Sequence, residues 1–402
     1  MSRHRKETQG NAHTMAQRLR RVRFVRAGLG LGVASLASSL AYGGLAGLAD
    51  ASSPNEPAAS YAPASALMMT RSGFGAETTG GLAGQMVHVT TDADGGPGSL
   101  RAALAGNTPA WIVFDGDYTI HFATGVPVGS NKTIDGRGRR VTLTGHGSYG
   151  LLIRKASNVI VENMFLTDFG DVTRGDNDMP DAIDVGASHD VWIDHNDLSV
   201  AGNKLISIQD GSTDVRVSWN HLHNQEQTFQ IGDQKTAATA ALQTVTVDHN
   251  FFDHTAYRNP VLSYGKAHVY NNYILGWKVF GVRSQRIGQM YLENNIFQPT
   301  SNLKASVIAP DGNGCNDAGT LCDTRLGYLK AVGNLVLGGG VIQTNAPTKV
   351  FTPSHYYAYT PQRATTSLAS QIAAQAGWQS TAPTSRHMVR TSVIKPPTQE
   401  TG

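Results

Sequence analysis

The sequence predicts an all-β chain folded as a right-handed parallel β-helix, a solenoid with a short N-terminal capping helix and a C-terminal helix or loop segment. Two observations predict it. The first is a loose internal repeat. "NVIVENMFL" (158–166) is followed by "DVWIDHNDL" (190–198), "DVRVSWNHL" (214–222), "TVTVDHNFF" (244–252), "AHVYNNYIL" (267–275) and "QMYLENNIF" (289–297), with "YLKAVGNLVL" (328–337) a weaker copy. Most units alternate two apolar residues, close on a polar pair ending in Asn, and resume as an apolar run. Alternation at period two means strand, and a turn residue in mid-unit means that the strand bends and resumes. The second observation is the position of that Asn, at 196, 220, 250, 272, 295 and 334, giving intervals of 24, 30, 22, 23 and 39 residues. A period of this length, with loops of variable size, indicates stacked coils, because no coil can bury its apolar face alone. Asn recurring at one position can stack in a ladder, each side chain bonding the backbone at the bend. An antiparallel β-sandwich is the alternative, but it requires turn signals such as Asn-Gly between strands, and these are scarce.

Composition agrees with a single large domain or two ordinary ones. Of 402 residues, 40% are hydrophobic and 16% charged, which allows a sizeable core, and 44 glycines argue against a helical or coiled-coil protein. The net charge is +3, and much of the excess lies in the first 26 residues, so a nucleic-acid partner is not implied.

Taken in order, residues 1–51 are expected to be a signal peptide. The basic "RLRRVRFVR" (18–26) precedes the apolar "AGLGLGVASLASSLAYGGLAGLA" (27–49), and "ADA" (49–51) fits a small-x-small cleavage site. An uncleaved anchor is the rival reading, which the glycines and serines of the stretch disfavour. The mature chain is therefore expected to be secreted, away from the membrane and monomeric. Residues 52–72, rich in Ala, Ser and Pro, read as a linker. "PGSLRAALAG" (97–106), with Pro near its start and Gly at its end, predicts a short helix. The repeats follow, within a domain spanning 73–378. "TTSLASQIAAQAGW" (365–378) has helical spacing and is expected to pack on the side of the solenoid or to close an end. Residues 379–402 read as a disordered tail. Only two cysteines occur, Cys315 and Cys322; in an exported chain they are expected to close a small disulfide loop.

Several motifs in this order and spacing carry a resemblance. They are "FGAETTGGLAG" (74–84), "GPGSLRAAL" (96–104), "NKTIDGRG" (131–138), "DVWIDHNDLS" (190–199), and "YRNP" (257–260) with "AHVYNNY" (267–273). The sequence resembles the pectate lyase/pectin lyase family of secreted polysaccharide lyases over roughly residues 73–378. The resemblance implies a right-handed parallel β-helix that cleaves homogalacturonan, an acidic plant cell-wall polysaccharide, by β-elimination. A base removes the C5 proton beside the uronate carboxyl, the C4 oxygen leaves, and a 4,5-unsaturated product forms. Negative charge builds on the C6 carboxyl, so the site must hold cations there in advance.

By the same resemblance Arg258 is the base, the first arginine of an R-x-P-x-x-R motif, with Pro260 helping to aim it. The bland alternative is a solvated loop cation. An arginine base works only where its surroundings favour the neutral form, since its ordinary pKa exceeds ~12. The second arginine of that motif falls on Ser263. Arg283 in "FGVRS" (280–284) matches a substrate-contacting arginine, and its place one coil later predicts that both share a face; a surface ion pair is its alternative. The family's calcium carboxylates fall on Asp181, Asn203 and Ser207, so one of three positions keeps its charge, with Asp178 close by in sequence. Calcium gains most from charged oxygens, and this set makes a poor site unless substrate completes it. Lys204, beside Asn203, could place an ammonium where calcium would sit. The family's active-site lysine falls on Gln227.

The reading is thus a pectate lyase-type enzyme. The alternatives are a calcium-independent lyase of methyl-esterified pectin, or a non-catalytic β-helix that binds cell-wall polysaccharide. A hydrolase requires paired carboxylates across the scissile bond, and none cluster among the repeats. Asp194 and His195 are an acid beside a base, but adjacent strand residues point to opposite faces, which predicts a structural role for each. The 14 histidines include no H-E-x-x-H spacing for zinc.

Overall fold

The computed structural model describes residues 57–58, 61–170, 180–232, 239, 241–301, 303–308 and 325–380. The expected signal peptide, Cys315, Cys322, Asp178 and residues 381–402 lie outside the described residues.

Each repeat unit bends where its Asn falls, and its two halves lie on two different sheets. Strand His189–Asp194 joins the first sheet, Asp197–Ser199 the second and Lys204–Gln209 the third; Thr213–Ser218 then returns to the first, parallel to His189–Asp194. Repetition builds three sheets, of ten, nine and eight strands among the described residues, with every pairing between these strands parallel. This is a right-handed parallel β-helix, and it rules out the antiparallel sandwich.

The alternation in sequence becomes rows in space. Val191, Val215, Val245, Ala267, Met290 and Leu329 are in register across the first sheet, as are Ile193, Val217, Val247, Val269 and Leu292, and all are fully buried. Removing one such side chain from water stabilises the fold by about 1.5–3 kcal/mol, so the long rows carry most of the stability.

The bends are equally regular. The residue before each ladder Asn takes the left-handed conformation: φ is 51° at His195, 53° at Trp219, 56° at His249, 51° at Asn271 and 49° at Asn294. The Asn itself then bridges to the next coil. Asn250 donates its backbone N–H to Asn272 Oδ1 at 2.9 Å, and its Nδ2 donates to Val217 O at 2.8 Å and to Asn272 Oδ1 at 2.9 Å. The chain of such bonds runs unbroken from Asn196 to Asn334. It satisfies backbone groups that the bend would otherwise leave buried without partners. Asn334 is the last rung and half-exposed, so water can replace what it gives. Asn334→Ala is therefore expected to cost only about 1 kcal/mol in urea unfolding.

Among the described residues, three α-helices pack on the solenoid. Helix α1 (Ala62–Met68) occupies part of the expected linker: Ala64 and Leu67 are buried against Trp111, Ile160 and Trp192 on the outside of the first sheet, which gives a short Ala-rich stretch a tertiary reason to fold. Helix α2 (Leu100–Leu104) is the expected capping helix. Ser99 accepts from the Ala102 N–H at its start, and Leu100 and Leu104 enter the core beside Val89 and Val126. Helix α3 (Thr366–Gln375), capped by Thr365, lays Leu368, Ala369 and Ile372 on Phe251, Tyr273 and Ile296 of the second sheet. It packs on the side of the solenoid rather than closing an end.

Candidate active site

The third sheet carries the groove. Along its strands apolar residues point inward, and the intervening positions face out. Register aligns those outward positions: Asp184, Ser207, Gln230, Val261 and Arg283 form one row across five strands. The next row holds Ser263 and Gln285, with Gln285 Nε2 donating to Ser263 Oγ at 2.7 Å.

Arg258 stands beside this row, on the connection entering strand Val261–Ser263, with φ at 64°. A left-handed arginine is uncommon, and the surrounding backbone holds it there. Arg258 O accepts from Phe229 N at 2.9 Å, Asn259 N donates to Gly281 O at 3.0 Å, and Thr255 Oγ1 donates to Asn259 Oδ1 at 2.9 Å. The side chain reaches across one strand, and its Nη1 donates to Gln230 Oε1 at 2.5 Å. Its guanidinium carbon lies 5.5 Å from the centre of the Tyr257 ring. Arg283, one coil on, lies 5.8 Å from the centre of the Phe280 ring, and its backbone N–H is fixed by Pro260 O at 3.0 Å. Arg258 and Arg283 line one small open pocket, walled by Gln230, Tyr257, Val261, Phe280 and Gln285. Both arginines are half-buried. Such a pocket presents two cations on apolar and amide walls, which suits an anionic, ring-shaped ligand.

The positions expected for calcium lie two and three coils before Arg258. Asp181 is buried, and its Oδ1 accepts the Lys204 backbone N–H at 2.9 Å with Lys204 Nζ 3.9 Å away. Burial pushes the Asp181 carboxyl up to about 6, opposed by the Lys204 ammonium and reinforced by the charge of Asp184. Ser207 hydrogen-bonds to Asp181 and accepts from Gln209 Nε2. Asn203 is buried; its carbonyl accepts from Gln225 Nε2 at 2.8 Å. Asp184, also buried, is raised by that burial and held down by Arg154, whose Nε donates to Asp184 Oδ2 at 3.0 Å. Each carboxylate thus has a cation from its own chain. Among the described residues, two such carboxylates, an amide and an engaged hydroxyl make a poor calcium site, since the ion takes six to eight oxygens and gains most from charged ones.

Of the residues singled out in the sequence, the pocket unites Arg258 and Arg283. Lys204 and Gln227 face one another across neighbouring strands outside it, Gln227 bridges to Tyr257, and Pro260 is buried and does not line it. Gln230, Tyr257, Phe280, Gln285, Asp184 and Arg154 went unassigned. The signal for several was present: in "LLIR", "AIDV" and "QTFQI" a polar residue stands at a position that alternation turns outward. One expectation is corrected. Asp194 and His195 do meet, His195 Nδ1 lying 2.7 Å from Asp194 Oδ2, because His195 occupies the left-handed bend rather than the strand. Asp194 is buried on the outer face of the first sheet, where it also accepts from Ser218.

The family model described as pectate lyase matches residues 115–381. A putative pectate lyase 21 of Arabidopsis thaliana is 32% identical over 244 residues, covering 57% of this chain and 61% of the relative. Pectate lyase 1 of Hesperocyparis arizonica is 32% identical over 254 residues, 58% of this chain and 69% of that one. The chain thus spans about three fifths to seven tenths of the length of these relatives. Among solved structures, jun a 1, the major allergen from cedar pollen, superposes with a TM-score of 0.67 at 24% identity, over 78% of this chain and 94% of that one. A Bacillus pectate lyase in complex with trigalacturonate gives 0.57 at 22%, over 76% and 98%. At these identities the structural likeness concerns the fold.

Proposed function

The chain belongs to the pectate lyase family, and from that premise we propose that it is a secreted lyase that cleaves homogalacturonan by β-elimination, with Arg258 as the base. The observation that carries this reading is the convergence of Arg258 and Arg283 on one open pocket. A relative of the same fold is described in complex with trigalacturonate, a short piece of such a polymer.

Arg283 grips the uronate carboxylate and stabilises the charge that grows on it as the C5 proton leaves. Arg258 Nη1, oriented by Gln230 Oε1, takes that proton. The C5–H electron pair becomes the C4–C5 double bond, the C4–O bond breaks, and the departing oxygen takes a proton from water. A second cation on the pocket wall and the exclusion of water by bound sugar favour neutral Arg258 at the moment of transfer, against the pull of the Tyr257 ring face, which favours the charged form. Ser263, where the family places a second arginine, supplies no charge.

A second reading concerns calcium, and the ion pairs of Asp181 and Asp184 favour it: Lys204 and Arg154 supply the positive charge, so the enzyme works without the ion. The test follows ultraviolet absorbance of the unsaturated product from polygalacturonate and from methyl-esterified pectin, each with calcium or with chelator. Product is expected, and chelator is expected to leave the rate within about twofold, since the ligand set lacks uncompensated charge. No product from either polymer under any condition removes the lyase reading and leaves a polysaccharide-binding solenoid. A rate abolished by chelator removes only the second reading.

A further inference from the structure

On the outward face of the second sheet, away from the groove, two histidines and two aspartates converge. Strand His221–His223 buries Leu222 in the core, so its two histidines point to the same outer side. Register places Asp197 opposite His221 on one neighbouring strand and Asp253 opposite His223 on the other. The Asp197 carboxylate spans both rings: Oδ2 lies 3.0 Å from His221 Nδ1, and Oδ1 lies 2.9 Å from His223 Nε2. The rings stack with centroids 4.3 Å apart. One donor atom each from Asp197, His221 and His223 lies within 4.8 Å of the others.

We propose that Asp197, His221 and His223 form a binding site for one divalent transition-metal ion of the zinc type, with water at the remaining coordination position. Two imidazoles and one carboxylate are the ligands such an ion takes, whereas calcium and magnesium call for oxygens. The ion replaces the protons now shared between Asp197 and the rings, so it needs those rings neutral and the carboxylate charged.

The outer partners are in place. A metal-bound histidine donates its other ring N–H to a carboxylate or carbonyl, which fixes its tautomer. Asp253 Oδ2 lies 3.4 Å from His221 Nε2 and can take that proton. The Asn224 amide lies 3.0 Å from His223 Nδ1; turned over, it offers its carbonyl to the N–H there. The chain after α3 flanks the site at Gly377, where φ is 86° and a Cβ would come 2.8 Å from His221 Cβ and 3.5 Å from Asp197 Oδ2. A bound ion would join two successive coils beside that segment and raise resistance to unfolding by mass action.

The test uses the full chain, stripped of metal by chelation and dialysis and titrated with zinc in a calorimeter, with cobalt(II) as a spectroscopic substitute. One saturable equivalent is expected, with a zinc-dependent rise in Tm and cobalt absorbance typical of imidazole ligation. His223→Gln is expected to weaken zinc binding by more than tenfold, and Asp253→Asn by about 10–100-fold, as for other outer-shell partners. His146→Gln, at an exposed histidine outside the cluster, is expected to leave it unchanged. Absence of saturable binding to the wild-type chain, or equal affinity in His223→Gln, overturns the proposal. These measurements read metal binding alone and are independent of the lyase activity.

Discussion

Arg258→Lys is expected to lower kcat on polygalacturonate by about 10²–10⁴, the range contributed by a positioned general base, while leaving the unfolding midpoint within about 0.5 kcal/mol of wild type. Lysine keeps the positive charge but is shorter, presents a single nitrogen and lacks the planar fork that meets Gln230. Arg258→Ala should fall at least as far. If Arg258 merely attracts an anionic polymer, both variants should instead raise KM and spare kcat, and added salt should mimic them in the wild-type enzyme. Stopped assays across substrate concentration separate the two outcomes. Arg283→Lys should raise KM and lower kcat together, since Arg283 both grips the carboxylate in the ground state and steadies the charge that grows on it in the transition state.

The second large effect is expected at the buried pair. Lys204→Met removes the cation beside Asp181 and should cost about 3–5 kcal/mol in urea unfolding at pH 8, as when one partner of a buried ion pair is deleted. The cost depends on pH in a defined direction. The Asp181 carboxyl stands at about 6 in the folded chain, above its unfolded value. Such a group contributes stability below the unfolded value and loses it as pH rises through the folded one. Without Lys204 the folded value climbs further, and the loss above pH 6 deepens. At pH 4.5 Asp181 holds its proton in either protein, so the gap should close. An equal cost at pH 4.5 and pH 8 would mean that Lys204 acts by packing its alkyl stem and not by charge.

These two residues also show what could be read in the chain before its structure. The strands of the first and second sheets were legible because each repeat unit holds both, joined at an Asn whose ladder has a local signature. The third sheet was harder. Its strands follow loops of variable length, so nothing in the spacing announces that Asp184, Ser207, Gln230, Val261 and Arg283 share a row. Arg258 stood out through its neighbours Asn259 and Pro260. Gln230, which it touches, lies 28 residues away, and Arg154 is 30 residues from Asp184. Contacts between coils join residues far apart in sequence, and only the register gives their partners. The Asp194–His195 pair failed for a different reason. Strand alternation was extended one residue too far, into a bend where the backbone turns the ring toward the carboxylate.

The Asn ladder has a consequence for how such a molecule can vary. Between rungs the chain takes 22 residues in one coil and 39 in another, yet the bonds between successive rungs hardly change, with backbone N–H to Oδ1 distances of 2.9 and 2.9 Å at those two steps. Position along the axis is therefore set by the rungs and not by the chain between them. Loops bordering the groove can lengthen, shorten or change sequence while the floor beneath them stays in place. The solenoid behaves as a ruler with adjustable walls: the rungs keep a fixed scale along the axis, and the loops beside it can be revised one at a time.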